Sequence, residues 1–574
     1  MMTPAELFRE LLKPDGKPDR QIRQYEALQI IFQNPIDAYL MGNRRPGTTS
    51  VDRWGTTILF PEDAPGAMPH ITEDNKVCPD ITHWREYCHA PDLLTNCSEG
   101  WDKTRQIAAH VREKGALATM LMGTGIFEQC HFLMGFEDTL TAFYEHPQEM
   151  HELIDYICAY RLGYVKLLID EVQPDAILSH DDWGTKDALF MQPDIWREFF
   201  KEPYRRFYGY IRSRGVIAAH HADSYLVPII EDMVEIGIQC WQGVLPENNI
   251  PQLQEQLQGR MILMGGVGAA IDRSDAGEAD IRAYMKQVLA QNCPRGHYIP
   301  CITYGAPGTV YAHVDKIIDD EITRYNETLH TPEFRPAAPT RRVPVNAPVI
   351  QKAATSSVDE PSSVLPQLSM AVQRGKRKQT LTLCQKALDR KIPAQRILDE
   401  ALVAGMMQIG ADFSAGKVFV PEMLMAARCM TAATDLLKPF LVETAASKIG
   451  RVCIGTVKGD MHDIGKNLVK IMLEGSGLEV IDLGCDVAPE VFVRTAKEQH
   501  CDIIALSALL TTTMNEMRNV VELTEAAGIR DQVIIMVGGA PVTQEFCDAI
   551  GADIYTDDAG AAAKAAVQAL SARH

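Results

Sequence analysis

Residues 451–467 read RVCIGTVKGDMHDIGKN. The run RVCIGTV is short and apolar and ends in a Gly-containing turn that opens a helix, as a buried strand does. Four runs of the same kind follow: EVIDLG (479–484), DIIALSA (502–508), VIIMVGGA (533–540) and DIYT (553–556), each leading into a helical stretch. Strands that are apolar throughout and separated by helices belong in a parallel sheet covered on both faces. Five such units predict a flavodoxin-like doubly wound domain over residues 447–574. In that fold ligands bind outside the carboxyl ends of the strands, where the turn carrying Asp460, His462 and Gly465 is placed.

The chemistry of that turn is specific. The imidazole of His462 can coordinate a transition metal through one ring nitrogen, and Asp460 can accept a hydrogen bond from the other and raise its basicity. Gly465 lets a bulky ligand approach the backbone. Further along come Ser507-Ala508-Leu509 and Gly538-Gly539, the glycines leaving room beside the sheet. D-x-H alone suits an ordinary helix cap better than a ligand. The complete set, D-x-H-x-x-G, S-x-L and G-G, resembles the cobalamin-binding domains of the methionine synthase and methanol:corrinoid methyltransferase type. The resemblance implies that His462 is the lower cobalt ligand. It also implies that Ser507, Leu509, Gly538 and Gly539 flank the nucleotide tail of the cofactor, and that Thr513 completes a relay with Asp460.

Upstream, residues 364–446 carry apolar positions at helical spacing through ILDEALVAGMMQIGADF (397–413) and MLMAARCMTAATDLL (423–437). They predict a small helical bundle. By the same resemblance, carried by GMMQIGADFSAGKVFVPEMLMAA (405–427), this bundle caps the methyl-bearing face of the corrin. Before it, residues 331–363 are rich in Pro, Ala, Ser and Thr and read as an extended linker.

Residues 1–330 alternate short apolar runs with helices: ALATMLMGTG (116–125), DAILSHDD (175–182), GVIAAHHAD (215–223), GIQCWQGV (237–244), RMILMGGV (260–267) and HYIPCIT (297–303). A (β/α)8 barrel is expected, with its site at the strand carboxyl ends. His220, His221, Asp181, Asp182 and Asp223 are the polar strand-end residues singled out for acid–base or binding work. Adjacent strand residues point to opposite faces, so one of His220 and His221 is expected to face the site. Trp183 and Trp241 read either as a binding surface or as packing. The stretches DRWGTTILF (52–60), GVIAAHHADSYLVPIIEDMVEIGIQCWQGV (215–244), RMILMGGV and HYIPCITYGAPGTV (297–310) resemble the uroporphyrinogen-decarboxylase-like methyltransferases. Thiol-activating members carry H-x-C and a late Cys that together hold zinc. Here the slot reads His220-His221-Ala222, which leaves zinc on His221 and Cys301 open and weighs against a thiol acceptor.

The remaining composition narrows the class. A net charge of −20 argues against a nucleic-acid footprint or an anionic-membrane anchor. The opening MMTPAELFRELLKPDGKPDR shows no apolar signal region, and fourteen cysteines without a C-x-x-C suit free thiols, so a cytoplasmic location is expected. Carrier and barrel together imply a corrinoid-dependent methyltransferase. It would move a methyl group from a small O-, N- or halo-methyl compound to its own cobalt, for an acceptor such as tetrahydrofolate. Expected partners are a separate acceptor methyltransferase and a reductive activator of the corrinoid, with a homodimer left open. The alternatives are a methyl-cobalamin:thiol methyltransferase with a zinc-activated thiol, and a cobalamin carrier or sensor with an inactive barrel.

Overall fold

Seven parallel strands organise the N-terminal half: β1 (Leu28–Ile31), then, after an insertion, β5 (Leu117–Met122), β6 (Ala176–His180), β7 (Ile217–His221), β8 (Cys240–Val244), β9 (Ile262–Gly266) and β10 (Tyr298–Cys301). They pair in the order β1-β5-β6-β7-β8-β9-β10. The insertion is a small antiparallel sheet of β2 (Thr48–Val51), β3 (Thr57–Phe60) and β4 (Met68–Pro69). The computed structural model describes residues 2–41, 44–62, 66–302, 310–329, 364–441, 449–460, 464–508, 513–539, 541–556 and 559–573. The chain divides into two compact units, Met1–Asn346 and Ala347–His574. The expected linker, 331–363, lies outside the described residues.

Alternate residues of the seven strands share one interior. Leu117, Ala176, Leu178, Ile217, Ala219, Cys240, Ile262, Met264, Ile299 and Cys301 form one buried cluster with Leu28 of the first strand. First and last strands meeting in one core means that the sheet curls on itself, as a β/α barrel does. Seven barrel strands are present among the described residues, one fewer than the eight expected. The N-terminal segment lies at the seam. Gln21 Nε2 donates to the Tyr298 carbonyl at 2.7 Å, and Leu7, Phe8 and Leu11 of the helix Pro4–Leu11 join the barrel core.

The second unit begins with helices Val364–Gln373, Arg377–Asp389, a run from Ala394 to Ser414 with a π-helical turn at Leu398–Val403, and Val420–Leu441. Then follow β11 (Arg451–Thr456), β12 (Glu479–Asp482), β13 (Ile503–Ser507), β14 (Ile534–Gly538) and β15 (Ile554–Tyr555). They are all parallel and in the order β12-β11-β13-β14-β15, the flavodoxin-like arrangement. The period of two along each strand sorts its side chains onto two faces. Val452, Ile454, Ile503, Ala505, Ile534 and Met536 enter one core with the helical bundle and the helix Ala559–Arg573. Cys453, Ile504, Leu506, Ile535 and Val537 enter the other, against helices Pro489–Glu498, Asn515–Ala526 and Gln544–Ile550. Bundle and sheet thus share a continuous apolar core, which fixes the bundle to the sheet.

Candidate functional site

At the carboxyl edge of the second unit's sheet, the chain leaves β11 through Val457 and turns. Gly459 N donates to Asp486 Oδ1 at 2.7 Å, and Asp486 N to the Asp460 carbonyl at 2.9 Å, so the turn is strapped to the loop after β12. The Asp460 side chain is fully buried and accepts from Thr513 Oγ1 at 3.0 Å. This is the contact that a relay between the two residues requires. His462 and Leu509 lie outside the described residues. The helix after the turn, Ile464–Gly475, is anchored by buried Lys466, whose Nζ reaches Asp482 Oδ1 at 2.7 Å and Asn467 Oδ1 at 2.6 Å.

The glycines at this edge differ in kind. Among the described residues, a Cβ on Gly465 or Gly538 would meet nothing within 4 Å. Gly539 has φ +126°, and a Cβ there would stand 1.8 Å from the Ala508 carbonyl oxygen. It is therefore needed by the backbone, whereas Gly538 keeps a space clear. Ser507 ends β13 directly beside Gly538, its register partner on β14. A buried carboxylate strapped to a turn, with a cleared channel between adjacent strand ends, fits a large planar metal cofactor with a long tail.

In the first unit the strand ends of β6 and β7 carry the polar residues. His180 pairs with His221 in register, and their rings stack at 4.8 Å and 18°. Each ring is tied at Nδ1: His180 to Glu128 Oε2 at 2.9 Å, and His221 to the amide oxygen of Gln242. Each Nε2 stands 3.7 Å from a carboxylate, Asp182 for His180 and Asp223 for His221. Asp182 Oδ1 accepts from the Asp223 amide at 2.9 Å, joining the two loops. Burial works against a charged His180, but the Glu128 carboxylate overcomes it, with Asp182 and Asp181 adding to the effect, and raises the imidazole to about 10. The same pair, again against burial, holds Glu128 at about 2. Burial pushes the Asp182 carboxyl up, while both histidines oppose it.

Two expected site residues take other places. His220 is fully enclosed, stacks on Trp183 at 4.1 Å and contacts the Tyr208 hydroxyl at 2.7 Å through Nδ1. Burial holds it neutral, well below the usual histidine range. It points to the helical layer because it is one residue out of phase with the interior set, and His221 is the histidine that faces the site. Asp181 is likewise enclosed. It accepts from the backbone amides of Phe127 and Glu128 at 3.0 and 2.9 Å, from Trp183 Nε1 at 3.0 Å and from the Tyr204 hydroxyl. It caps the helix Ile126–Met134, where a negative group suits the helix N-terminus, and is not exposed at the mouth. Gly125 makes room for it, since a Cβ there would stand 1.9 Å from Asp181 Cγ. Trp183 and Trp241 are fully buried and pack.

Cys301 faces the interior but sits in its apolar layer. Burial first, then the neighbouring Cys240 and Asp223, push its thiol well above the ordinary range. Among the described residues the His, Cys, Asp and Glu groups whose ligand atoms converge are Glu128, His180 and Asp182, without Cys301. Glu128 is not among the residues expected from the sequence. The only signal for it was an acidic residue in the first turn of a helix that follows a barrel strand.

A doubly wound sheet with this edge, capped by a helical bundle, defines a corrinoid-binding module, and a β/α barrel precedes it on the same chain. Comparison with known families agrees. Residues 450–567 match the B12 binding domain, residues 364–438 a second B12 binding domain model, and residues 101–324 uroporphyrinogen decarboxylase (URO-D). The chain is 44% identical over 209 residues to dimethylamine corrinoid protein 1 of Methanosarcina acetivorans, covering 98% of that protein and 36% of this one. It is 43% identical over 179 residues to trimethylamine corrinoid protein 1 of the same organism, covering 83% of that protein and 31% of this one. A methanol:cobalamin methyltransferase complex from Methanosarcina barkeri aligns with 37% of this chain and 81% of its own, at 26% identity and a TM-score of 0.34. The chain belongs to the corrinoid-protein family, with a URO-D family domain joined ahead of its B12-binding domains. Its cofactor is a corrinoid, and its architecture is that of a corrinoid-dependent methyltransferase. No helix among the described residues is long and apolar enough to cross a membrane.

Proposed function

We propose that the barrel takes a methyl group from a small O-, N- or halo-methyl compound and delivers it to the corrinoid of the same chain, for onward transfer to an acceptor such as tetrahydrofolate by a separate methyltransferase. The observation that carries this reading is the pairing of two built edges on one chain. One is a barrel mouth with Glu128, His180, Asp182, His221 and Asp223. The other is a corrinoid edge with Asp460, Thr513 and a space kept clear beside Gly538. The names of the relatives point to methylamines, but their similarity covers only the carrier, and donor choice belongs to the barrel.

When bound, the corrinoid supplies the nucleophile and carries the methyl group. The chain's own residues do the rest. His462 would hold the cobalt of the corrinoid and Asp460 would orient its ring, with Thr513 holding Asp460 in place by the observed hydrogen bond. Ser507, Leu509, Gly465, Gly538 and Gly539 are proposed to line the cofactor's seat. In the barrel, His180 presents a ring nitrogen edge beside Asp182, and His221 does the same beside Asp223. These edges can orient a methyl donor and offer hydrogen bonds to its leaving atom. A thiol-acceptor reading is weaker, because the late cysteine is buried and its thiolate is disfavoured. A reductive activator of the corrinoid and a cytoplasmic location complete the proposal.

The test loads full-length protein with cobalamin, reduces it, and supplies methoxyaromatics, methylamines and halomethanes in turn. One donor class is expected to change the corrinoid's visible spectrum with matching release of demethylated product. Silence with every donor, together with methyl delivery to thiols from pre-methylated corrinoid, overturns the reading.

A further inference from the structure

A basic cavity lies at the opposite end of the barrel from the mouth, under the starts of β6 and β7. It has a volume of about 610 Å³ and is walled by the ends of the helices Pro4–Leu11, Pro147–Val172 and Glu202–Ser213 and by the chain entering β6, β7 and β8. Its charged walls are three cations, Arg9, Arg212 and Arg214, and one anion, Asp175, a formal +2 on a chain of net charge −20. Asp175 does not neutralise them. Its carboxylate accepts from Arg9 Nη2 at 2.9 Å, from Arg112 Nε at 2.9 Å and from the Ala118 amide at 3.1 Å, so one anion is shared between two guanidinium groups. Arg214 donates to Asp170 Oδ1 at 2.9 Å and to the Tyr210 hydroxyl at 2.7 Å. The Arg212 guanidinium has no ion-pair or hydrogen-bond partner among the described residues. Its stem is nonetheless accommodated by the turn before β8. Gly237 there has φ +105°, and a Cβ would stand 3.1 Å from Arg212 Cδ.

We propose that this cavity binds a small organic phosphate, with Arg9, Arg212 and Arg214 around the phosphate group and the body of the molecule against Leu12, Ile169 and Val216. A guanidinium offers five N–H donors in a planar fork that matches the oxygens of a phosphate. Arg9 gives one of its donors to Asp175 and Arg212 gives none, so donors stay open on both. A phosphate monoester carries about −1.5 to −2 at neutral pH, which balances the +2 of the walls. The concave form and the volume suit a small molecule better than the flat face of a partner protein. The molecule bound here is not the methyl donor. Asp175 and His180 stand five residues apart along β6, about 16 Å of strand. It sits instead at the foot of the strands whose far ends carry His180 and His221. Asp175 ties that foot together, because its amide donates to the Ala118 carbonyl at 2.9 Å and its carbonyl accepts from the Ile217 amide at 3.0 Å. The site requires neither corrinoid nor donor, so it stands apart from the methyl-transfer reading.

The experiment titrates cyclohexyl phosphate into the full-length, corrinoid-loaded protein by isothermal calorimetry, with cyclohexanol as the uncharged control. Wild type should bind one cyclohexyl phosphate per chain with a Kd of about 1 mM or tighter, weakening as salt is added, and cyclohexanol should bind at least about 10-fold more weakly. Arg212→Gln should weaken the phosphate at least about 10-fold, and Arg212→Glu should abolish binding, with circular dichroism unchanged in both. Arg205→Gln removes a surface arginine that pairs with Glu202 outside the cavity, and it should bind as wild type does. A wild-type protein that takes up no cyclohexyl phosphate overturns the proposal. So does cyclohexanol binding equal to that of the phosphate, undiminished binding in the folded Arg212 variants, or an equal loss in Arg205→Gln, which would mark nothing more than diffuse attraction to surface charge.

Discussion

Gly538→Val separates the cofactor's seat from the fold. Gly538 ends β14 outside the left-handed region, and an added Cβ meets no atom of the described residues within 4 Å. Valine suits a strand end and relieves the entropic cost of glycine, so stability should hold or rise by about 0.5–1 kcal/mol. The new isopropyl group occupies the space assigned to the corrinoid tail. Overpacking of a fitted site costs about 1–3 kcal/mol, which is roughly a 5- to 150-fold loss of corrinoid affinity. Gly539→Ala is the opposite control. Its φ of +126° and the 1.8 Å approach to the Ala508 carbonyl force the backbone to move. It should therefore cost about 1–3 kcal/mol, lowering the melting temperature of a unit of this size by roughly 2–12 °C. The assay incubates each protein with hydroxocobalamin, desalts it, reads bound corrinoid per chain from visible absorbance, and records thermal melts without cofactor. Gly538→Val should melt as wild type does and load poorly, while Gly539→Ala should melt early. Wild-type loading by a well-folded Gly538→Val refutes the seat assigned beside β14, and early melting of that variant refutes the open space.

Three further outcomes follow from single contacts. Thr513→Val removes a 3.0 Å donor from buried Asp460 and should cost about 1–3 kcal/mol in melts of the second unit; the pH midpoint of the axial-ligand change in the corrinoid spectrum should shift with it, and an unchanged midpoint breaks the proposed link between Asp460 and the lower ligand. Gly125→Ala drives a methyl group to 1.9 Å from Asp181 Cγ, so the cap on helix Ile126–Met134 must open; the barrel should lose about 2–4 kcal/mol in denaturant melts, and a neutral result denies Asp181 its capping role. His131 is packed among Phe127, Phe132 and Phe136, and burial lowers it to about 4. A histidine depressed in the folded state gives full stability above the unfolded value near 6.5 and loses it as pH falls toward 4, by up to about 3 kcal/mol before solvent screening. His131→Phe should flatten stability between pH 6.5 and 4, and a variant as acid-labile as wild type removes His131 as the cause.

The second unit was legible because its signals are local. Strand, turn and helix follow one another within twenty residues around Asp460, and strand order follows from five repeats of that pattern. The barrel interior was also legible, since the period of two places Leu178, His180, Ala219 and His221 on one face. What the sequence could not show was which strand-end residue a distant element needs. Asp181 is required by Phe127 and Glu128, more than fifty positions earlier, and becomes a cap. Glu128 reaches His180 across a similar gap and becomes part of the site. Neither exchange leaves a periodic trace, because one buried hydrogen bond across a parallel sheet constrains single residues and no pattern. The antiparallel insertion β2–β4 escaped for a related reason. Its strands are two to four residues long and half-exposed, too short for alternation to stand out.

The two sites solve one physical problem in the same way. A ring nitrogen that must meet an ion or a substrate has to be held in one orientation and tautomer, and a loop at a strand end cannot do that alone. In the barrel the solution is observed: Glu128, nine-tenths enclosed, takes Nδ1 of His180 and leaves the other ring edge facing the mouth. At the corrinoid edge the same part is ready in Asp460, enclosed and already fixed by Thr513, which follows the neighbouring strand β13. In each case the carboxylate is buried and the imidazole is meant to be reached, so the cost of burying charge is met by the orientation it imposes. A buried carboxylate beside a strand end is therefore the element to change first. Glu128→Gln keeps the hydrogen bond but drops the charge that holds His180 near 10. It should return the imidazole toward 6.5, readable as a shifted titration of the His180 ring resonances by nuclear magnetic resonance. A ring that still titrates near 10 in that variant would mean that Asp182 and Asp181 suffice, and that Glu128 only positions it.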